Sequence, residues 1–183
     1  MSFTIWLTGV PAVGKTTIGK ILADNLRDNN EQHCVFLDAD EVRKTYWPKL
    51  GLTPASRVLN FDGITSLASV CLRRNSNVVI ACIAPFADDR NRCLKQLQMQ
   101  GPAFLVYLHA PLLVLRDRDP KGLYRKQSEG IITGLTGVDG RYDIPKSDEV
   151  LASYDTNLAA SPEMIVENII HRVAETMYVG VVK

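Results

Sequence analysis

An eight-residue motif near the amino end of the sequence constrains this chain more than any other feature. Gly9-Val10-Pro11-Ala12-Val13-Gly14-Lys15-Thr16 has the spacing G-x-x-x-x-G-K-T, and it directly follows the apolar run Phe3–Thr8. Helix-compatible sequence continues from Thr17. Glycines at these positions let main-chain N–H groups turn towards phosphate oxygens, Lys15 adds a positive charge, and the hydroxyl of Thr16 can ligate Mg²⁺. The motif and its strand-to-helix context predict a site for a nucleoside triphosphate with Mg²⁺.

The competing interpretation is a glycine-rich turn between a strand and a helix, with a solvated lysine. Such a turn does not need Lys15 and Thr16 at its end, so the sequence favours phosphate binding.

Composition limits the classes of protein that remain. The 183 residues, 46% of them hydrophobic, fit one α/β domain over 1–183. With 21 Lys and Arg against 20 Asp and Glu, the net charge of +1 gives no general surface for nucleic acid. The four cysteines lack C-x-x-C spacing and are interpreted as reduced core residues of a cytoplasmic protein. No apolar segment approaches the length of a membrane span and no leader pattern is present, so no membrane association is expected.

Apolar runs separated by helix-like stretches alternate along the chain. This alternation predicts a parallel β-sheet with helices on both faces, a three-layer α/β fold. The predicted strands are Phe3–Thr8, Cys34–Leu37, Val78–Ile83 and Phe104–Leu108. The predicted helices are Lys15–Arg27, Asp40–Thr45, Pro54–Arg74, Ala87–Met99, Pro111–Arg116 and Pro162–Met177.

The segment 116–146 interrupts this alternation, because it is rich in charge and glycine and is too polar for core. It is also long for an ordinary connection. One interpretation is a lid that closes over reacting phosphates and excludes water, and the other is a mobile surface loop.

Several segments together resemble the adenylyl-sulfate kinase (APS kinase) family, from Ile5 to about Pro145. The motifs that carry the resemblance are Ile5-Trp6-Leu7-Thr8-Gly9, Leu37-Asp38-Ala39-Asp40-Glu41-Val42-Arg43, Leu50-Gly51-Leu52-Thr53, Arg57-x-x-Asn60, Arg118-Asp119-Pro120-Lys121-Gly122-Leu123-Tyr124-Arg125-Lys126 and Leu135-Thr136-Gly137-Val138-Asp139 with Tyr142 and Pro145. The resemblance implies a P-loop fold of the nucleoside-monophosphate-kinase type. It also implies transfer of the ATP γ-phosphate to the 3′-hydroxyl of adenosine 5′-phosphosulfate (APS), which yields PAPS, and makes a homodimer an expectation.

The resemblance assigns roles to the matching residues. Asp40, Lys15 and Lys121 are the expected catalytic residues, with Asp40 acting as a base or near the metal, and Thr16 and Asp40 are the expected Mg²⁺ ligands. Expected nucleotide-binding residues are Gly9 to Thr17, Arg116 and Arg118. Expected acceptor-binding residues are Asp38, Arg43, Leu52, Arg57, Asn60, Ile83, Ala84, Lys121, Leu135, Thr136 and Gly137. Without the surrounding motifs, the arginines and Lys121 would be solvated charges, and one of Asp38 and Asp40 could simply cap a helix.

The sequence departs from the family at several positions of the expected acceptor site. Leu52 and Leu135 replace aromatic residues, Ser56 replaces an aspartate, and Asp62 with Gly63 replaces a basic pair. Aliphatic side chains stack less strongly on a base, and Asp62 exchanges positive for negative charge. Ala84 replaces a serine, which direct transfer does not need. An alternative acceptor, such as a cytidine diphosphate derivative, is therefore open, as is a nucleotide-dependent switch without a useful reaction.

Overall fold

A computed structural model describes residues 2–30, 33–51, 53–158 and 161–181. Within these ranges the strands form one parallel sheet with the order β2-β3-β1-β4-β5. The strands are β1 (Thr4–Thr8), β2 (Cys34–Asp38), β3 (Asn77–Ala81), β4 (Ala103–His109) and β5 (Ala152–Asp155). The helices are α1 (Lys15–Asn30), α2 (Ala39–Tyr46), α3 (Pro54–Arg73), α4 (Ala87–Gln98), α5 (Leu112–Arg118), α6 (Leu123–Ser128) and α7 (Pro162–Val181).

The side chains of β1 alternate between two hydrophobic clusters, one on each face of the sheet. Ile5 and Leu7 pack in a cluster with α1 and α7, whereas Trp6 packs in a cluster with α3 and α4. All five residues of β1 are buried, as expected for a central strand covered on both faces. The predicted three-layer α/β fold is confirmed.

The parallel arrangement brings the carboxyl ends of β1, β2 and β3 to one edge of the sheet. Strand β3 ends at Ala81, two residues before its predicted end, so Cys82 and Ile83 lie beyond the sheet at this edge. The phosphate-binding motif follows β1, and Asp38 ends β2. Loops at this edge of a parallel sheet form the crevice in which ligands bind.

The sequence did not predict β5 and α6. Strand β5 has the sequence Ala-Ser-Tyr-Asp, which carries no apolar run, and it pairs with β4 from Val106 to His109. Helix α6 lies inside the charged segment 116–146, where the carboxylate of Asp119 accepts from the main-chain N–H groups of Leu123 and Arg125 and so caps it.

The segment 116–146 is more ordered and more buried than its composition suggested. Tyr124, Leu135 and Thr136 are all at most 7% exposed, so the expectation that the segment is too polar for core is wrong at these positions. The carboxylate of Asp139 accepts hydrogen bonds from the N–H groups of Gly134 (2.9 Å) and Leu135 (2.8 Å) and closes the turn 134–140. These contacts argue against the interpretation as a mobile surface loop, and the segment is called the lid segment below.

All four cysteines carry free thiols. Cys34, Cys82 and Cys93 are buried core residues as expected, whereas Cys71 on α3 is only half-buried at the edge of the cluster that contains Trp6. Across the described ranges, no helix is both long enough and apolar enough to cross a membrane.

Candidate active site

The phosphate-binding motif forms a tight loop between β1 and α1. Ala12 and Gly14 have positive φ angles of 62° and 97°. A Cβ atom on Gly9, where φ is 148°, would lie 2.2 Å from the main-chain oxygen of Leu108. Only glycine therefore fits at position 9, because the neighbouring main chain of β4 occupies the space. Val13 is fully buried and packs in the hydrophobic cluster of α1 and α7, which fixes the middle of the loop.

The ammonium group of Lys15 is held inside this loop. It donates hydrogen bonds of 2.9 Å to the main-chain carbonyl oxygens of Gly9 and Val10. Burial lowers the pKa of Lys15 to about 8, although Asp40 and Asp38 oppose the shift. At neutral pH the group is still mostly protonated and is placed to bind phosphate oxygens.

Thr16 and Asp38 are joined by a hydrogen bond of 2.6 Å, in which the hydroxyl donates to Oδ2 of the carboxylate. The other oxygen of Asp38 accepts from the N–H of Asp40 at 2.9 Å and from that of Glu41 at 3.4 Å, which makes Asp38 the N-cap of α2. The helix-capping alternative is therefore correct for Asp38. Thr16 and Asp40 were the expected Mg²⁺ ligands, but in this structure the carboxylate that contacts Thr16 is that of Asp38.

This pair suits Mg²⁺, which prefers oxygen ligands and takes only one or two protein groups when phosphates supply the others. The described residues contain no cluster of three or more His, Cys, Asp or Glu side chains with metal-binding geometry. A site made by Thr16 and Asp38 alone fits a metal that arrives with a nucleotide.

Asp40 forms an ion pair with Lys121 of the lid segment, across 81 positions of sequence. Burial raises the pKa of Asp40, but the hydrogen bond and charge of Lys121, with the charges of Lys15 and Arg43, outweigh it. The pKa of Asp40 is therefore below its usual value. Asp40, Lys15 and Lys121, the three expected catalytic residues, thus lie within electrostatic reach of one another.

Arg43 of α2 and Arg57 of α3 lie near each other. Arg57 donates to the hydroxyl of Thr136 at 3.3 Å, and Arg43 donates to the carbonyl of Gly51. Burial, and then the charge of Arg43, lowers the pKa of Arg57. Asn60 is 1% exposed, and its Oδ1 finds no hydrogen-bond partner among the described residues. Two neighbouring guanidinium groups suit an anionic acceptor, and Asn60, one helical turn after Arg57 on α3, offers a hydrogen-bond acceptor that is unpaired within the described part of the chain.

The remaining predicted acceptor residues lie where β3 ends and in the turn 134–140. Ala84 is fully buried with a φ of 38°, and the carbonyl of Ile83 accepts from the hydroxyl of Thr8 at 2.6 Å. Leu135 belongs to the hydrophobic cluster of α1 and α7. Gly137 has a φ of 85° and lies against Val10, which connects this turn to the phosphate loop. Leu52 lies outside the described residues.

Arg116 and Arg118, the two arginines expected to bind the nucleotide, differ in their contacts. Arg116 lines a cleft of about 460 Å³ together with Lys121, Arg125 and Lys126. The guanidinium of Arg118 instead donates to the hydroxyl (2.9 Å) and the carbonyl (2.8 Å) of Thr156, just after β5. In this structure Arg118 therefore anchors the end of α5 rather than facing a nucleotide, because its fork matches the two oxygens of Thr156.

The departures noted in the sequence have structural explanations. Asp62 forms an ion pair with Arg92 of α4, so a cation compensates its negative charge. A Cβ atom on Gly63 would lie 2.2 Å from the indole of Trp47, so glycine makes room for this ring. Ser56 accepts from the hydroxyl of Thr53 at the start of α3. The expectation that Asp62 repels an anionic acceptor is weakened accordingly.

Sequence reasoning missed Arg90 and gave no role to Tyr142. Arg90 is 1% exposed and donates to the carbonyl oxygens of Ala84 and Asp143. A single arginine in an otherwise polar helix gives no signal of burial. Tyr142 was noted only as part of a motif.

The sheet order, the phosphate loop after β1 and the Lys15, Thr16 and Asp38 constellation define a P-loop kinase. A sequence model of the family described as adenylylsulphate kinase matches residues 1–153. The chain belongs to the adenylyl-sulfate kinase family and is a phosphotransferase.

Individual relatives agree with this assignment. The chain is 36% identical over 176 residues to a probable adenylyl-sulfate kinase of Pyrococcus abyssi, covering 96% of this chain and 97% of that protein. It is 35% identical over 157 residues to a probable adenylyl-sulfate kinase of Archaeoglobus fulgidus, covering 86% and 99%. The solved APS kinase of Mycobacterium tuberculosis in complex with AMPPNP and APS superimposes with a TM-score of 0.87, at 26% identity, over 94% of this chain and 98% of that one.

Proposed function

We propose that this chain transfers the γ-phosphate of ATP to the 3′-hydroxyl of adenosine 5′-phosphosulfate, giving PAPS and ADP. Family membership supports the reaction, and the solved relative with AMPPNP and APS supports both substrates. The observation that carries the proposal is the ion pair between Lys121 and Asp40. It joins a cation of the lid segment to a carboxylate beside the phosphate loop, and both interact with Lys15.

On the donor side, Lys15 and the N–H groups of the loop from Gly9 to Thr16 bind the β- and γ-phosphates. Thr16 and Asp38 would hold Mg²⁺, which would neutralise phosphate charge. Arg116 contributes a further positive charge from the lid segment, where it lines the same cleft as Lys121.

On the acceptor side, Arg43 and Arg57 bind the phosphosulfate, because guanidinium groups form paired hydrogen bonds to such anions. The buried Oδ1 of Asn60 accepts a hydrogen bond from the acceptor's sugar or base. Thr136, which already accepts from Arg57, fixes that arginine.

The lowered pKa of Asp40 argues against its expected role as a base. A carboxylate that favours its charged form is a weak proton acceptor, but it accepts a hydrogen bond well. Asp40 therefore orients the 3′-hydroxyl in line with the γ-phosphorus, and Lys121 offsets the charge that develops on the transferred group.

The test is a discontinuous assay of the full chain with MgATP and APS, in which PAPS and ADP are quantified by chromatography. We expect stoichiometric formation of both products. Lys15→Met, which removes the phosphate-binding charge, is the matched control and should form neither. Absence of PAPS with folded, ATP-binding wild-type protein would overturn the proposal.

A different acceptor is the second candidate, and the aliphatic Leu135 at a position of an expected aromatic clamp favours it. The same assay with a panel of nucleoside diphosphate conjugates, including a cytidine diphosphate derivative, separates the two. Turnover of a panel member at higher kcat/KM than APS would replace APS as the acceptor.

A homodimer and a cytoplasmic location also belong to this proposal. Sedimentation of the purified chain tests the first, and fractionation of the source cells tests the second.

A further inference from the structure

The buried guanidinium of Arg90 links two segments that border the acceptor side of the site. Arg90 lies in the first turn of α4 and donates a 2.8 Å hydrogen bond to the carbonyl of Ala84, just beyond β3. Its other terminal nitrogen donates a 2.6 Å hydrogen bond to the carbonyl of Asp143, at the end of the lid segment. The guanidinium also lies over the ring of Tyr142, 5.6 Å from its centroid.

The link extends from Tyr142 to the phosphate loop. The hydroxyl groups of Tyr142 and Thr8 are 3.1 Å apart, and Thr8 donates its one proton to the carbonyl of Ile83 at 2.6 Å. Tyr142 must therefore be the donor to Thr8. Burial raises the pKa of Tyr142 to about 12, so the donating proton is retained at neutral pH. Thr8 directly precedes Gly9, whose carbonyl holds Lys15.

Burying a guanidinium is costly unless its N–H groups are hydrogen-bonded. The carbonyl groups of Ala84 and Asp143 must therefore both be held in position to accept from Arg90. Ala84 has a φ of 38°, a backbone conformation that residues with a Cβ atom rarely adopt, so its carbonyl is held in an unusual orientation. The carboxylate of Asp143 is itself held by Arg141 and by the N–H of Ala87. Arg90 thus fixes Ile83 and Ala84 against the residues that follow the turn 134–140.

We propose that Arg90 is a positioning residue for the acceptor. By joining Ala84 to Asp143, it sets the relative position of the segment after β3 and of the turn that carries Thr136, the partner of Arg57. This inference rests on the proposed function, since it assigns an effect on the acceptor of that same reaction.

Direct hydrogen bonds from Arg90 reach only the acceptor side, whereas the phosphate loop is linked to Arg90 indirectly, through Tyr142 and Thr8, and has further attachments of its own. Tyr124 bonds to the carbonyl of Pro11, and Lys15 bonds to Gly9 and Val10. None of these contacts involves Arg90. Loss of Arg90 should therefore loosen the acceptor pocket while the phosphate loop keeps its shape.

The experiment compares Arg90→Met and Arg90→Lys with wild type in the PAPS assay, varying APS and ATP separately. For Arg90→Met we expect the KM for APS to rise about tenfold or more, with the Kd for AMPPNP within about twofold of wild type. Arg90→Lys, which keeps the charge and one donor group, should restore part of the APS affinity. Lys95→Met is the matched control, since Lys95 is exposed on the same helix, and it should leave both constants unchanged.

A merely structural role would give a different result, namely a lower kcat or equal weakening of both substrates, and that result would overturn the inference. If Arg90→Met does not fold, Arg90→Lys decides, because it keeps the positive charge but cannot reproduce both guanidinium hydrogen bonds to Ala84 and Asp143. A rise of about threefold or more in the KM for APS supports the inference, and an unchanged KM overturns it. Wild-type protein that forms no PAPS would overturn the proposed function as well, whereas active wild type with an unaffected Arg90 variant overturns this inference alone.

Discussion

The hydroxyl group of Tyr124 donates a 2.9 Å hydrogen bond to the main-chain carbonyl of Pro11. Tyr124 is 3% exposed and lies in α6 of the lid segment, whereas Pro11 lies in the phosphate loop. Burial raises the pKa of Tyr124 to about 12, so the donor proton is present throughout the neutral range. The lid segment is thus fastened to the loop at this point, which limits any closing movement to the parts around it.

Removing the hydroxyl of Tyr124 should lower both the stability of the fold and the affinity for ATP. Tyr124→Phe leaves the carbonyl of Pro11 without its partner, at a cost of about 1–3 kcal/mol. We expect calorimetry to show a Tm lower by roughly 3–10 °C, with a higher KM for ATP. Tyr154→Phe is the control, because the Tyr154 hydroxyl bonds to Asn168 at the exposed side of α7. Equal changes in KM for ATP in both variants would contradict the assigned link.

Affinity for ATP should depend on pH through Lys15. Its pKa of about 8 in the free protein must rise when a phosphate binds, so above pH 8 binding takes up a proton. Affinity for ATP should therefore be constant below about pH 8 and should fall by up to about tenfold per pH unit above it. Calorimetry with AMPPNP from about pH 6.5 to 9.5, in buffers of different ionisation enthalpy, measures both affinity and proton uptake. Constant affinity across this range would show that the loop does not shift the pKa of Lys15.

Asp40 and Lys121 should act as one unit in turnover. We expect Asp40→Asn and Lys121→Met each to lower kcat by about 10²-fold or more, with a double variant little worse than either single one. Because both side chains are more than half exposed, Tm should hardly change. Glu41→Gln is the control, as it breaks the exposed pair with Lys44 on the same helix and should leave kcat intact. Additive losses in the double variant would mean that the two residues work independently.

The effect of the Gly137–Val10 contact on ATP binding should be distinguishable from the effect of the left-handed backbone conformation of Gly137. A Cβ atom at Gly137 would lie 2.4 Å from Cγ1 of Val10, whereas one at Gly130, with a similar φ of 71°, meets nothing within 4 Å. Both alanine variants carry the cost of a left-handed residue, about 1–2 kcal/mol, but only Gly137→Ala pushes on the phosphate loop. We expect a raised KM for ATP in Gly137→Ala alone, measured at saturating APS. A comparable rise in Gly130→Ala would assign the effect to the backbone.

The sequence predicted the sheet and the phosphate loop, because each leaves a local pattern. Apolar runs indicate buried parallel strands, and the spacing of Gly9, Gly14 and Lys15 indicates the loop. Strand β5 escaped detection, since it is short and pairs along only one edge. Long-range pairing, and not local preference, defines it.

Other parts of the site depend on contacts that no local pattern encodes. The sequence could not show that Asp38 rather than Asp40 reaches Thr16, because the two lie only two residues apart where β2 ends and α2 begins, and only the capping geometry of α2 distinguishes them. Arg90 is a charged residue in a polar helix, and its burial follows from where the lid segment ends. The position of Arg118 could not be predicted either, because its guanidinium bonds to Thr156, which lies 38 residues later in the sequence, instead of facing the cleft.

The close approach of Gly9 to Leu108 has a genetic consequence. The obstructing atom belongs to main chain, so trimming a side chain elsewhere cannot create room for alanine at position 9. A screen for second-site suppressors of Gly9→Ala should return only true revertants. Gly137→Ala, which is blocked by the side chain of Val10, should be rescued by smaller residues at position 10.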